Sequence, residues 1–478
     1  MPSDTIPSDP AVTPPVPKGQ VERLIGKPEP EWTVDDMLDL VAEQGIRVVA
    51  LMHVGGDGWL KTLDFTPRCT SHLRDIIEGG ERADGSSLFT GSGIRPDASD
   101  VVLRPRLQSA FLDPFSPHPT LGFLCSHYGR EGELLPQSPD TILRRAHERV
   151  LTETGLDLHA LGEPEYFLGK TAEPGDSYGA DDKGYHATSP FVFGEKLRRE
   201  AMALLSDMGV PIKYGHSEVG YVPATARDET IWEQHEIELL LTPLPEAAEA
   251  VVLVQWVLRN LAHRDAMRCS FDPIIRRGHA GSGQHYHISA LRDGEHLFAT
   301  GPEGEMGEEG RWLIGGLVQL GGALMAFGNR DKGSFTRLLQ GKEAPNTVTW
   351  GAFNRKALIR LPIQARTGEG RIVTPPTIEF RLPDGSAHPY LVLAGTAQAL
   401  MLGRQTDDLP TLLDQTSAGY TLADMSGATP VPHNFDEVAV ALKQYQPVLE
   451  EGGVFPADYI DAVVDHLGSI RNPEPAAV

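Results

Sequence analysis

Three strand-like segments each carry two chemically active residues spaced two positions apart, and this spacing constrains the fold more than any other feature. The pairs are Glu163 with Glu165 in LGEPEYFL, His285 with His287 in GSGQHYHIS, and Glu379 with Arg381 in TIEFRLP. Because successive side chains of a β-strand leave opposite faces, the two members of each pair project from the same face. The pattern predicts a sheet that presents residues suited to binding metal or phosphate.

Each pair also has an ordinary structural interpretation when it is considered alone. Two neighbouring carboxylates repel each other unless cations lie between them, but Glu163 and Glu165 could also line a solvated sheet face. Histidines two apart occur at many metal and phosphate sites without defining one, and Glu379 with Arg381 could form a surface salt bridge worth roughly 0–1 kcal/mol. Ligands rich in oxygen with a single histidine favour magnesium or manganese over zinc.

Charge narrows the choice of partners. The formal net charge is −24, which disfavours nucleic acid and anionic membranes as partners. An anionic substrate must then be held by local cations, and Arg337, Arg355 and Arg360 form a suitable series. These arginines are expected to hold ATP and an amino-acid carboxylate, although a solvated basic face would contain the same residues.

The chain of 478 residues reads as an α+β protein with a small and a large domain. Residues 1–32 are rich in proline and serine and predict a disordered tail. A helix capped by Thr33 followed by short apolar runs predicts a compact sheet domain over residues 33–136. Strand-like runs that alternate with long helical patterns predict a catalytic domain over residues 137–478.

The remaining features concern location. The three cysteines are widely spaced and form no CxxC pair, which fits a reducing cytoplasm. The most apolar stretch, Trp312 to Gly328, is interrupted by Gln319 and glycines and is short for a membrane span, so it predicts a buried helix.

Taken together, these segments resemble the glutamine synthetase family, in order from about residue 33 to about residue 460. The strings that carry the resemblance are DGSS at 84–87, GEPEYFL at 162–168, KGY at 183–185, HSEV at 216–219, QHEI at 234–237, GSGQHYHIS at 281–289, RLLQGKEAP at 337–345, NRKALIRLP at 354–362 and IEFRLPDGSAHPY at 378–390. The resemblance implies a β-grasp-like amino-terminal domain and a large catalytic domain with a curved antiparallel sheet flanked by helices. It also implies ring-shaped homo-oligomers with active sites between subunits.

The resemblance further implies two divalent metal ions, Mg²⁺ or Mn²⁺, in each active site. Glu165, Glu218 and Glu236 would hold the first ion, and Glu163, His285 and Glu379 would hold the second. Glu229 and Glu233 are fallback ligands, because the segment between Glu218 and Glu236 is about ten residues longer than in relatives.

Substrate contacts follow by the same comparison. Arg337 would bind the substrate α-carboxylate and Arg381 its side-chain carboxylate, with Gly281 and Tyr185 lining the substrate pocket. The expected contacts to ATP and its phosphates are His287, Ser289, Arg355 and Arg360. Glu343 would lie in a flap that closes over the substrate, and Asp84 of a neighbouring subunit would bind ammonium and help to deprotonate it.

The implied reaction is ATP-dependent formation of glutamine from glutamate and ammonia through a γ-glutamyl phosphate. Two alternatives remain open: γ-glutamylation of an organic amine such as a polyamine, ethanolamine or methylamine, and a non-catalytic structural or regulatory role. Three positions differ from relatives: Ala280 replaces an asparagine beside the substrate amino group, Lys342 replaces an aromatic residue next to Glu343, and Thr377 replaces an arginine on the nucleotide side.

Overall fold

The computed structural model describes residues 19–90, 94, 99–173, 184–300, 305–340, 342, 344–370, 372–418 and 429–470. The helices in these ranges are α1 (Gln20–Ile25), α2 (Val34–Glu43), α3 (Thr70–Gly79), α4 (Gly85–Leu88), α5 (Pro139–Thr154), α6 (Glu195–Asp207), α7 (Leu244–Arg264), α8 (Glu308–Gly328), α9 (Lys332–Leu339), α10 (Pro389–Arg404), α11 (Leu409–Thr416), α12 (Phe435–Gln444), α13 (Gln446–Glu450) and α14 (Ala457–Ser469). The strands are β1 (Val48–Val54), β2 (Leu60–Phe65), β3 (Glu81–Asp84), β4 (Asp100–Pro105), β5 (Phe111–Leu112), β6 (Thr120–Tyr128), β7 (Asp157–Thr171), β8 (Ile212–Val222), β9 (Thr230–Leu239), β10 (Thr242–Pro243), β11 (Arg268–Ser270), β12 (Gln284–Arg292), β13 (Glu295–His296), β14 (Ala299–Thr300), β15 (Glu305–Met306), β16 (Trp350–Ala352), β17 (Ile359–Leu361) and β18 (Ile378–Phe380).

Two sheets organise the chain, which confirms the predicted α+β class. The first has strand order β2-β1-β6-β4-β3, with β5 beside β6, and its β1–β6 pair is parallel. The second is a curved sheet of order β16-β17-β18-β12-β7-β9-β8, antiparallel except for the β16–β17 pair. The domain boundary proposed near residue 137 falls between the end of β6 and the start of α5.

Strand β1 contributes to the two largest hydrophobic cores of the described residues. Val49 and Leu51 pack in the core of the first sheet, with α2 and α3 residues, whereas Ala50 and Met52 pack in the large core that also surrounds the second sheet. This alternation follows from the two-residue period of a strand. The first sheet is therefore packed against the larger body and not merely tethered to it.

Helix α2 begins where its sequence predicts. The Thr33 hydroxyl accepts a hydrogen bond from the Asp36 backbone N–H, and the Asp36 carboxylate accepts one from the Thr33 backbone N–H. This reciprocal pair satisfies two backbone donors that a helix N-terminus otherwise leaves unpaired.

The prediction that residues 1–32 form a disordered tail is wrong for residues 20–32, and residues 1–18 lie outside the described ranges. Residues Gln20–Ile25 form α1, and Val21 and Trp32 are buried in the core of the first sheet. The Trp32 indole N–H also donates to the Lys27 carbonyl at 2.9 Å. Two apolar anchors within a polar segment are enough to order it, although its average composition resembles that of a tail.

The apolar stretch from Trp312 to Gly328 is a buried helix, as predicted, and forms most of α8. Within the described residues, no helix combines the length and apolar character needed to cross a membrane. Helix α8 crosses α10 at close range. A Cβ atom added to Gly316 would lie 1.6 Å from the Ala399 carbonyl oxygen, so only glycine permits this approach.

We expect Gly316→Ala to lower the free energy of unfolding by about 1–3 kcal/mol. The atom that clashes with the new Cβ is the Ala399 backbone oxygen, which cannot rotate away as a side chain could. The measurement is the midpoint of chemical or thermal unfolding. Gly468→Ala is the matched control, since a Cβ atom at this helical position in α14 meets no atom within 4 Å. Equal midpoints for the two variants would contradict the close contact between α8 and α10.

Candidate active site

Five of the six paired residues lie on three consecutive strands of the curved sheet, β18, β12 and β7, and Arg381 directly follows the end of β18. Their registers place His285 opposite Glu163 and His287 opposite Glu379. Strand β9 adds Glu236 directly opposite Glu165. Residues that are more than two hundred positions apart in the chain are thereby collected on one face of one sheet.

This face forms the floor of a cavity of about 950 Å³. The predicted site residues that line it are Glu163, Glu165, Tyr185, Glu218, Glu236, Gly281, His285, His287, Arg337, Arg355, Arg360, Glu379 and Arg381. Carboxylates and imidazoles come from the sheet, and arginines come from α9, β17 and the segments around β16 to β18. The cavity thus combines a cation-binding surface with an anion-binding one.

His285 lies at the centre of the carboxylates. Its Nδ1 atom is 3.3 Å from Glu163 Oε2, 3.8 Å from Glu165 Oε1 and 3.8 Å from Glu379 Oε1. The neighbouring His287 Nε2 lies 3.0 Å from Glu163 Oε1. Glu163, His287 and Glu379 each offer a ligand atom within 4.8 Å of the others.

A second group forms where β8 meets β9. His216 Nε2 lies 3.2 Å from Glu236 Oε1, and His216 Nδ1 lies 3.7 Å from Glu218 Oε1. Glu165, which the resemblance assigned to the same ion, instead uses its Oε2 atom to accept hydrogen bonds from the Gly283 N–H and the Gln234 amide. The assignment of ligands to individual ions stays a prediction, because each geometric group contains only two of the three residues expected.

The electrostatics of these groups favour a divalent cation. Burial raises the pKa of Glu236 well above its ordinary value, and the charges of Glu163, Glu165, Glu218 and Glu379 raise it further. His285 Nε2 is also buried without a hydrogen-bond partner among the described residues. Carboxylate oxygens and an imidazole nitrogen fit magnesium or manganese, and a bound cation would relieve the repulsion.

The long insert between Glu218 and Glu236 does not disturb the site. Residues Ile212–Val222 and Thr230–Leu239 form the β8–β9 hairpin, in which His216 pairs with Glu236, so the extra residues lie at the far end of the hairpin. Neither fallback ligand lines the cavity. Glu233 faces away and accepts from the Phe193 and Gly194 backbone N–H groups, whereas Glu229 is exposed before β9.

Arginines line the same cavity, and two of them bind one of its carboxylates. Arg381 Nη1 donates to Glu379, and Arg360 Nη1 donates to the other oxygen of the same carboxylate at 2.8 Å. Arg381 also donates from Nε to the Arg355 carbonyl at 3.2 Å, which ties the Arg355 segment to the sheet. Arg337 is 5% exposed, and burial lowers its pKa.

Gly281 is required by its surroundings. A Cβ atom there would lie 2.3 Å from the Pro273 carbonyl oxygen and 3.1 Å from Arg337 Cγ. The Gly281 carbonyl accepts a hydrogen bond from the Gln234 amide at 3.0 Å. The backbone can therefore approach Arg337 closely, which keeps the floor of the cavity open beside this guanidinium.

Two of the predicted residues that the structure describes, Ser289 and Asp84, are not on the cavity wall of this chain. Ser289 is fully buried, and its hydroxyl donates to the Pro376 carbonyl at 2.9 Å. The predicted contact between Ser289 and the nucleotide is therefore wrong, because this hydroxyl is hydrogen-bonded inside the protein and does not line the cavity. Asp84 is exposed in the first sheet domain. Glu343 lies outside the described residues.

The three positions that differ from relatives all line the cavity. Ala280 is buried, and Lys342 Nζ donates to the Gly278 carbonyl at 2.6 Å. Thr377 Oγ1 lies 2.9 Å from His287 Nδ1 and orients this imidazole. Thr377 therefore has a defined partner within the cavity.

The structure adds cavity residues that the sequence reasoning missed. Glu238 and His216 repeat the two-apart spacing beside Glu236 and Glu218, and this signal was available in the sequence. Lys213 was not predictable, because it reaches Glu238 through a register shift between Ile212 and Tyr214. Burial and the nearby Glu163 raise the pKa of Glu238.

We expect Glu163→Gln to weaken Mn²⁺ binding by about tenfold or more, because this carboxylate contacts both His285 and His287 in the ligand group. Titration calorimetry of the metal-free protein measures this without any substrate. Glu229→Gln is the control, since this residue is exposed and lies outside the cavity. Equal Mn²⁺ affinity in wild type and Glu163→Gln would refute the ligand role.

Comparison with known proteins agrees with this geometry. Residues 136–466 match the family model described as the glutamine synthetase catalytic domain. The chain is 28% identical to glutamine synthetase of Aquifex aeolicus, covering 93% of this chain and 98% of that protein. It is 29% identical to a 3-hydroxylaminophenol mutase of Cupriavidus pinatubonensis, covering 91% of this chain and 94% of that protein.

A solved structure of Plasmodium falciparum glutamine synthetase has the same fold, with a TM-score of 0.76 at 18% identity over 91% of this chain and 95% of that one. The matched catalytic-domain model covers well over half of the chain and includes the strands that form the cavity floor. The chain therefore belongs to the glutamine synthetase family.

Proposed function

We propose that the protein is an ATP-dependent ligase that joins glutamate to ammonia through a γ-glutamyl phosphate and releases glutamine, ADP and phosphate. The observation that carries this proposal is one cavity in which carboxylates and imidazoles lie beside several arginines. A ligase of this kind must hold a nucleotide triphosphate, an amino-acid dicarboxylate and cations in contact with each other. The relatives named glutamine synthetase support the same reaction.

Two buried arginine side chains, Arg337 and Arg381, bind glutamate. Arg337 takes the α-carboxylate, and its nearly complete burial makes the attraction stronger than it would be in water. Arg381 takes the side-chain carboxylate, and its guanidinium is buried in the same cavity beside Glu379. The two guanidinium groups thus fix the orientation of the substrate by its two ends.

Phosphoryl transfer converts the γ-carboxylate into a better electrophile. Its oxygen attacks the γ-phosphorus of ATP, and the bond to the bridging oxygen breaks to release ADP. Divalent magnesium or manganese, when bound, neutralises charge on the phosphates. Arg355 and Arg360 line the cavity and stabilise charge on the transferring group, and His287 is held by Thr377 beside them.

Ammonia then attacks the acyl phosphate, and phosphate leaves. Asp84 supplies the carboxylate that binds ammonium and accepts its proton. Hydrogen bonds from Ser87, Ser99 and Ser86 lower the pKa of Asp84, so this carboxylate is charged at neutral pH. Since Asp84 is exposed and lies off the cavity of its own chain, we propose that it completes the site of a neighbouring subunit in a ring-shaped homo-oligomer.

The central test is phosphate release from ATP. We expect release that requires glutamate, ammonium and Mg²⁺ or Mn²⁺ together, with glutamine as the product identified by mass spectrometry. Arg337→Ala should raise the KM for glutamate by about tenfold or more, since a buried charged hydrogen bond is worth about 1.5–3 kcal/mol. Absence of phosphate release with any amine, at all metal concentrations, would refute the ligase and revive the non-catalytic alternative.

Mixing inactive subunits tests the role of Asp84. Asp84→Asn and Glu163→Gln should each be nearly inactive alone. If Asp84 serves a neighbour, equal mixing after dissociation should restore about a quarter of the wild-type activity, because about half of the sites keep Glu163 and about half of those meet an intact Asp84. Mixing Asp84→Asn with itself is the control, and no recovery in the mixed sample would show that Asp84 acts within its own chain or not at all.

A further inference from the structure

A second cavity, of about 590 Å³, lies where the turn between β1 and β2 packs against the catalytic body. Its walls come from residues 56–59 of this turn, from α7, α10 and α14, and from the segments at β11 and at the end of α8. The second cavity shares no lining residue with the active-site cavity. Its volume is in the range of cavities that bind small organic molecules.

Two arginines of the catalytic body converge on this turn. The Arg259 guanidinium carbon lies 4.4 Å from the centroid of the Trp59 ring and 4.8 Å from the centroid of the Phe271 ring. Arg330 donates hydrogen bonds of 3.0 Å and 3.1 Å to two backbone carbonyls of the turn. Both arginines line the second cavity.

Neither of these guanidinium groups is neutralised by a carboxylate among the described residues. Arg259 Nη1 lies 3.5 Å from the neutral Gln255 Oε1, and the acceptors of Arg330 are the two carbonyls of the turn. Burial lowers the pKa of both arginines, and the charge of Asp272 opposes this effect at Arg259 without cancelling it. A guanidinium has five N–H donors, so an anion that entered the cavity would find donors as well as charge.

Three aspartates also line the second cavity, and two of them are engaged by other groups. Asp57 pairs with Lys61 at 2.7 Å, and Asp331 accepts a hydrogen bond of 2.6 Å from the Gly333 N–H at the start of α9. The third, Asp272, is exposed. The acidic groups therefore leave the cations of this cavity largely uncompensated.

An apolar wall lies beside the two arginines. Phe327, Leu391 and Tyr459 line the second cavity and are each at most 3% exposed. Trp59 also lines it but is 56% exposed, which is unusual for so large an aromatic side chain. A ligand that combined an anionic group with an apolar body would place its charge at the arginines and bury its body against the open indole.

We propose that the second cavity binds a small organic anion, either a carboxylate or a phosphate monoester, that carries an apolar or aromatic body. Arg259 and Arg330 hold the anionic group, and Trp59 covers the apolar body. The proposal goes beyond the ligase function, because it assigns a binding site that takes no part in amide formation. Its basis is the convergence of two guanidinium groups on one turn beside an exposed indole.

Titration calorimetry of the protein with benzoate and with phenyl phosphate tests the site, in the absence of ATP, glutamate and metal. Both probes should bind. Benzyl alcohol has the ring without the charge, and acetate and inorganic phosphate have the charge without the ring, so all three should bind at least about tenfold more weakly.

Two substitutions locate the binding. Arg259→Gln should weaken the binding of benzoate by about tenfold or more, because a hydrogen bond to a charged group is lost. Trp59→Ala should weaken it by about threefold or more, because the apolar contact is lost. Trp59 is exposed, so this second variant tests the site even if Arg259→Gln lowers the unfolding midpoint.

Arg404→Gln is the matched control. Arg404 also lies over a tryptophan, 5.9 Å from the ring centroid of Trp312, but lines neither cavity. Arg337→Ala controls for binding in the active-site cavity, and neither control should change the affinity for benzoate.

Three results would overturn the proposal. They are the absence of benzoate and phenyl phosphate binding to the wild type, binding that is unchanged in both Arg259→Gln and Trp59→Ala, and binding that is lost in Arg337→Ala. The titrations contain no substrate of the ligase, so they succeed or fail independently of the proposed reaction.

Discussion

The repulsion among buried carboxylates on one face of the curved sheet is the constraint on which the rest of this structure depends. Glu163, Glu236 and Glu379 are each less than a tenth exposed, and their charges act on one another at short range. Separated from water, such groups can be kept charged only by nearby cations or hydrogen bonds. Arginines and histidines supply part of this compensation, and a divalent ion would supply the rest.

Rigid support is the second requirement, because like charges held together would otherwise move apart. The strands that carry the carboxylates lie in the middle of the sheet, with β12 between β18 and β7 and with β9 beside β7. Behind them, α7, α8 and α10 contribute many of the fully buried side chains of the large core. Small residues such as Gly316 let α8 and α10 approach closely, so the support has little room to relax.

The first sheet serves a different purpose in this arrangement. One face of β1 belongs to its own core and the other to the large core, which packs the first sheet against the body. The DGSS segment belongs to the same sheet, at the end of β3 and in α4. Asp84 is exposed at the start of α4, where its carboxylate accepts hydrogen bonds from Ser86 and Ser87, and it does not line the cavity of its own chain. In the proposed ring, the cation-binding surface would lie on one chain and the proposed proton acceptor Asp84 on the next.

The sequence by itself determined the fold class and the three two-apart pairs, because strand periodicity and residue chemistry are local properties of the chain. The resemblance to a known family supplied other predicted residues that line the cavity, such as Glu218 and Glu236. Prediction failed for residues 20–32, where two buried anchors outweigh a polar composition, and for Ser289, whose hydroxyl is used by the Pro376 carbonyl. Only the tertiary structure decided which strands are neighbours, that Glu233 faces away from the cavity, and that Lys213 reaches Glu238 through a register shift. Strand order and register depend on contacts between distant segments, and these contacts form only when the whole sheet packs against its helices.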